Sequence, residues 1–153
     1  MRRLLAFARL STGDKCLLLH AGLAVSMVHL ALSLLSWRDV QGLLECPRIL
    51  KRSSAGDPLD IDRLVWAVEH ASSLVPGARC LTRAATLQFL LRHTSEPSCL
   101  RIGVAKDPDG RFSAHAWVES RGKPLIGKTQ VTAFKPLLPV RSDPCRTSPV
   151  PPA

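Results

Sequence analysis

The apolar residues of this chain change their period at Cys99, and that change limits the fold more than any other feature of the sequence. Before it, apolar side chains recur at helical spacing. After it, L-R-I-G-V-A reads as a strand, K-D-P-D-G-R as a hairpin loop and F-S-A-H-A-W-V-E as the returning strand. Arg121-Gly122 is a second tight turn, and K-P-L-I-G is a third short strand. Helices followed by a small antiparallel sheet define an α+β domain.

A chain of 153 residues is one domain and can bury a single core. Its 46% hydrophobic and 22% charged content is that of an ordinary globular protein. The net charge of +9 suits an acidic partner, but the basic residues are scattered. With three Trp, four Phe and no Tyr, the chain lacks the aromatic platforms of a base-stacking protein, so no nucleic-acid partner is expected. Cys16, Cys46, Cys80, Cys99 and Cys145 are odd in number and irregularly spaced, without a C-x-x-C pair or zinc-ligand spacing. This excludes a metal site and a disulfide framework as expectations, and points to reduced thiols in the cytoplasm.

Residues 16–35 carry no formal charge over a length that could span a bilayer, behind Arg2, Arg3, Arg9 and Lys15. His20, Ser26, His29 and Ser33 interrupt that surface at helical spacings. The segment also runs on into S-W-R-D-V-Q-G-L-L, as a continuing amphipathic helix would. No A-x-A-like cleavage site follows. A buried or surface-docked helix is the expectation here, with membrane association the lesser alternative.

Three regions follow. Residues 1–58 form an N-terminal helical region that ends in the turn-rich stretch P-R-I-L-K-R-S-S-A-G-D-P. Residues 59–135 form the core. There Asp60 caps a helix reaching about Leu74, V-P-G-A-R turns the chain, and a second helix runs from Cys80 to about His93. Residues 136–153 hold six prolines and are expected to be a disordered tail.

Chemistry concentrates in the core. A thiol opening a helix, as Cys80 does, meets unpaired backbone N–H groups and the positive end of the helix dipole, which favour the thiolate. Arg79 and Arg83 bracket it. His115, borne on a strand, is the candidate general base and acid for that nucleophile. The group that orients the imidazole is harder to find. Glu119 lies on the same strand face, but four residues along a strand is about 13 Å. If Arg121-Gly122 is a two-residue turn, His115 falls opposite Lys128, and a one-residue change in the turn sets Gly127 there instead. Residues 120–135 contain no carboxylate. Gln130 is a candidate orienter through its amide carbonyl; a backbone carbonyl, a water and an incomplete site are the alternatives. Trp117, on the face of His115, either walls a substrate cleft or belongs to the core.

The strings R-C-L-T-R-A-A-T-L-Q-F-L-L-R, L-R-I-G-V-A-K, F-S-A-H-A-W-V-E and P-L-I-G together resemble the B-type maturation proteases of lasso-peptide biosynthesis. Those enzymes belong to the transglutaminase-like superfamily. The resemblance covers residues 60–130 in motif detail, and the apolar helix ending in L-L-S-W-R-D-V is similar to that family's N-terminal region. It implies a transglutaminase-like (papain-like) core, with the nucleophile-bearing helix packed on a small antiparallel sheet. It further implies cytosolic removal of a leader peptide from a ribosomally made precursor, with Cys80 as nucleophile, His115 as base and no cofactor. The implied partners are the precursor's leader, a separate leader-recognition protein and an ATP-dependent lasso cyclase. Many members carry Asp about a dozen residues after the His, where this chain has Gly127. Nothing in residues 1–50 resembles the leader-binding module of fused members, so a stand-alone protease is expected. Two other readings use the same scaffold: a non-catalytic protein, and an acyltransferase that passes the thioacyl group to an amine.

Overall fold

The computed structural model of the protein describes residues 10–45, 61–92, 94, 97–106, 109–127 and 134–137. Among the described residues, four helices precede a four-stranded antiparallel sheet. The helices are α1 (Thr12–Leu34), α2 (Trp37–Glu45), α3 (Ile61–Ser72) and α4 (Cys80–Leu91). The strands are β1 (Cys99–Lys106), β2 (Phe112–Ser120), β3 (Lys123–Ile126) and β4 (Lys135–Pro136), in the order β3-β2-β1-β4. This is the expected α+β arrangement.

Ser11 starts α1. Its Oγ accepts the Asp14 N–H at 3.1 Å and donates to the Asp14 carboxylate at 2.7 Å, so one orphan donor of the first turn is satisfied. Asp14 also pairs with Arg63, tying α1 to α3. The expected continuation of α1 through S-W-R-D-V does not occur. Leu35 is extended (φ −110, ψ 158) and Ser36 begins α2 anew. The reason is local: Ser36 Oγ and N–H both donate to Asp39 Oδ2, at 2.6 and 3.3 Å, while Oγ accepts the Asp39 N–H at 3.4 Å. Such a reciprocal pair is a helix-start signal, and it stops the helix before it. By length and composition α1 could cross a membrane. One of its faces is nevertheless built into the protein through Ala21, Ala24 and Val25.

The core lies between the helices and one face of the sheet. Ala84, Leu87 and Leu91 of α4 are buried with Ala116 and Val118 of β2 and Ile126 of β3, and Leu100 and Ile102 pack beside them. Each fully buried leucine contributes about 1.5–3 kcal/mol from its removal from water. Gln88 Nε2 donates to the Ser98 carbonyl at 3.0 Å, linking α4 to the segment that enters β1.

Strand pairing sets the site. β1 and β2 run antiparallel with Gly103 opposite His115 and Arg101 opposite Trp117. The β2–β3 connection is the expected two-residue turn, with φ +49 at Arg121 and +74 at Gly122, as a hairpin turn with two positive φ values requires. Next to the turn, Ser120 pairs with Lys123 and Glu119 with Pro124. A bulge then shifts the register, so Val118 pairs with Ile126. The register that set His115 opposite Lys128 is broken there. Pro124 has no N–H to give the ladder and stands on the sheet's edge strand, where such an irregularity is tolerated.

The cap assigned to Asp60 lies outside the described residues, as do residues 138–153 of the expected tail. Pro136 forms a ladder pair with Gly103, so the first position of that region belongs to the sheet. Cys16 and Cys80 are free thiols. Cys99 departs from the expectation of reduced cysteines, being disulfide-bonded.

Candidate active site

Cys80 is the first residue of α4, as the turn residues before it predicted. Arg79 occupies the cap position in extended conformation (φ −92, ψ −178) and gives no side-chain hydrogen bond to the helix. The first turn of α4 holds no acidic residue either. Its leading amides are therefore not spent on a side-chain cap, and they point toward the helix start where the thiol sits. The Cys80 side chain is half-buried and packs against the edge of the core. Arg79 and Arg83 are both exposed.

His115 is half-buried on β2. Its ring lies 6.2 Å from that of Trp117 in a stacked arrangement (18° between planes) and 5.2 Å from that of Phe134. Its Nε2 is 3.3 Å from the carbonyl oxygen of Gly127. A carbonyl only accepts, so Nε2 carries the hydrogen and the neutral ring keeps its lone pair on Nδ1. The acceptor beside Nε2 is a backbone carbonyl, the kind of group that the sequence left open as an alternative orienter. Gln130, the side-chain candidate, lies outside the described residues.

Gly127 is fitted to this contact. Its φ is +79, and a Cβ there would stand 2.9 Å from His115 Nε2 and 3.2 Å from Trp117 Cβ. Only glycine lets the chain approach the imidazole this closely in this conformation.

Trp117 is 1% exposed, so it presents no face to a bound peptide. Of its two expected roles, this burial accords with the core one. Its Nε1 donates to Glu119 Oε1 at 2.7 Å, and Glu119 Oε2 accepts from Arg101 Nε at 3.3 Å. Its ring fills the space above Gly103, where a Cβ would come within 2.9 Å. Sequence reasoning missed this network and the Phe134 contact. The pairing of Arg101 with Trp117 across β1 and β2 was the signal for the first; nothing in A-F-K-P marked the second.

The structure brings α4 and β2 together without closing the pair. Ala116 and Val118 face α4, and strand alternation puts His115, Trp117 and Glu119 on the other side of β2. Among the described residues no hydrogen bond joins Cys80 Sγ to the imidazole. No group of three or more His, Cys, Asp or Glu able to hold a metal ion occurs among them either.

Residues 23–139 match the family model described as the transglutaminase-like superfamily. The chain belongs to that superfamily. The match runs from the middle of α1 through β4 and takes in both Cys80 and His115. No curated protein matches the chain, and neither does any solved structure. Transglutaminase-like proteins include cysteine peptidases and cross-linking enzymes. A helix-opening thiol and a strand-borne imidazole, in that order, are the parts such chemistry needs.

Proposed function

We propose that this transglutaminase-like protein is a cysteine peptidase that removes the leader from a ribosomally made precursor peptide during lasso-peptide biosynthesis. The observation that carries the reading is the His115–Gly127 contact. It leaves Nδ1 as the basic nitrogen, on a strand packed against the helix that begins with a free thiol. The motif strings given above support the leader-peptide role.

In this mechanism His115 Nδ1 takes the Cys80 thiol proton and the thiolate attacks the carbonyl carbon of the last leader residue. Leading amides of α4, with the Cys80 N–H first among them, stabilise the resulting oxyanion. The C–N bond then breaks as the imidazolium returns its proton to the leaving amine, giving a thioester on Cys80. Water, deprotonated by His115, attacks the thioester and releases the leader as a carboxylic acid. The mechanism requires Cys80 Sγ and His115 Nδ1 to come within hydrogen-bond reach in the substrate complex, which for an imidazole on the β2 face away from α4 takes a rearrangement of the α4 start against the strand.

The reading proposes the cytoplasm as the compartment, a separate leader-recognition protein as the delivering partner and an ATP-dependent lasso cyclase as the consumer of the freed amine.

The test is mass spectrometry of the precursor incubated with the protein, with and without the leader-binding partner, beside Cys80→Ala. One leader-sized fragment, absent with Cys80→Ala, is expected. An intact precursor in the presence of the partner, or cleavage by Cys80→Ala, overturns the reading.

One observation favours a second reading, a non-catalytic scaffold: Sγ and the imidazole are not hydrogen-bonded. Iodoacetamide labelling separates the two, because a scaffold thiol reacts no faster than an ordinary exposed one. A third outcome, transfer of the thioacyl group to an amine instead of water, would appear in the same assay as a cross-linked product.

A further inference from the structure

The outward face of α1 carries a seam that no described residue covers. Leu19, Leu23, Met27, Leu30 and Leu34 are between 59% and 73% exposed. Cys16 and His20 continue the exposed face toward the helix start. The positions 16, 20, 23, 27, 30 and 34 are spaced 4-3-4-3-4, the spacing of the seam in a helix–helix pair rather than of a helix lying alone in solvent. The opposite face, with Ala21, Ala24 and Val25, is already occupied by the core.

The polar residues of the face are prepared for burial. Ser26 Oγ donates to the Gly22 carbonyl at 2.9 Å and Ser33 Oγ to the His29 carbonyl at 2.8 Å, so neither hydroxyl needs water. Both are small and flank the large apolar residues, which lets a second helix come close. No Asp, Glu, Lys or Arg occurs between residues 16 and 35, so the seam asks for no charged complement. A second copy of a chain with net charge +9 therefore meets no facing charge along it.

We propose that this face is a homodimer interface in which α1 of one copy packs along α1 of another. The same patch then serves both copies, as a two-fold contact requires. Covering the five large side chains removes roughly 500–600 Å² from each copy, about 1,000–1,200 Å² in total, which reaches the lower bound for a specific interface. Apolar stripes of this size on soluble chains mark interaction sites. A bilayer-spanning role for α1 would strip Ala21, Ala24 and Val25 out of the core, and so fits the packing less well.

Sedimentation of the full chain in detergent-free buffer tests the proposal. A particle of twice 16.7 kDa is expected, falling to the single mass for Leu23→Glu/Leu30→Glu with unchanged far-UV circular dichroism. Phe112→Glu, which changes an exposed apolar residue elsewhere, should stay dimeric. Should the double variant misfold, oxidation of Met27 in the wild type by dilute peroxide gives a second reading. It slows with rising protein concentration if the seam closes. A wild-type monomer, a dimer that survives the double substitution, or Met27 oxidation independent of concentration overturns the proposal. So does a monomer that co-sediments with phosphatidylglycerol vesicles, which would assign the face to a lipid surface.

Discussion

The Nε2 of His115 lies 3.3 Å from the main-chain oxygen of Gly127, so the acceptor beside this imidazole belongs to the backbone. A carboxylate there would add a charge and a titration of its own. The carbonyl adds neither, and its position is fixed by the hairpin that leads to it.

Gly127→Ala tests that contact. The new methyl would stand 2.9 Å from Nε2 on a backbone at φ +79. Strain of this kind costs about 1–3 kcal/mol, and a displaced imidazole should lower precursor cleavage on the order of 100-fold. Thermal melts read beside the cleavage assay separate the two effects. A variant that melts lower yet cleaves normally removes the carbonyl from the mechanism.

Cys80 and Cys16 provide an internal comparison of thiols. Cys16 is the more exposed of the two, so access alone predicts that it alkylates first. The catalytic reading expects the reverse at neutral pH, with Cys80 slowing in His115→Ala and Cys16 unaffected. Peptide mapping after timed iodoacetamide treatment gives both rates; equal rates in both proteins argue for an inert scaffold.

Glu119→Leu should destabilise the protein without touching the reacting atoms. It removes the acceptor for both Trp117 Nε1 and Arg101 Nε. A hydrogen bond to a charged group is worth about 1.5–3 kcal/mol, and the indole N–H is left buried without its acceptor. Urea unfolding measures the loss; no change in midpoint would mean that the network carries no stability.

Leu87→Ala opens a cavity between α4 and β2. Leu87 is completely buried, so the expected loss is about 2–5 kcal/mol, read as a lower urea midpoint at unchanged slope. A smaller value would mean that the two elements close over the gap.

Asp14 gives a pH dependence. Its hydrogen bond from Ser11, and next its pairing with Arg63, hold the carboxyl below its ordinary value of 3.8. A carboxyl with a depressed folded-state value stabilises the protein above its unfolded-state value and loses that effect as pH falls through the folded one. Asp14→Asn should therefore melt below the wild type at neutral pH. The gap should shrink at pH below 3.8. A gap that stays constant through that range would assign the loss to something other than charge.

Much of this fold was legible because local chemistry and tertiary demand agree. The helix opening at Cys80, the strands around His115 and the Arg121-Gly122 turn all follow from period and turn residues. The break at Ser36 was legible too, since Ser36 and Asp39 stand three apart, but the long apolar run hid it. The bulge between Val118 and Glu119 could not be read. It is the response of an edge strand to Pro124 and to packing against β2, and neither is visible until the strands are paired. The orienting group escaped for a related reason. A search for side-chain acceptors passes over a glycine, whereas the working atom belongs to the backbone every residue shares.

The β2–β3 hairpin behaves as a ruler. Its tip, Arg121 and Gly122, is exposed and turned away from the imidazole by the length of the hairpin, and residues that accept positive φ there would leave His115 undisturbed. Adding or removing one residue at the tip is different, because a step of one along a strand exchanges its two faces and carries Gly127 away from the ring. At that tip, length rather than identity governs whether the histidine is held.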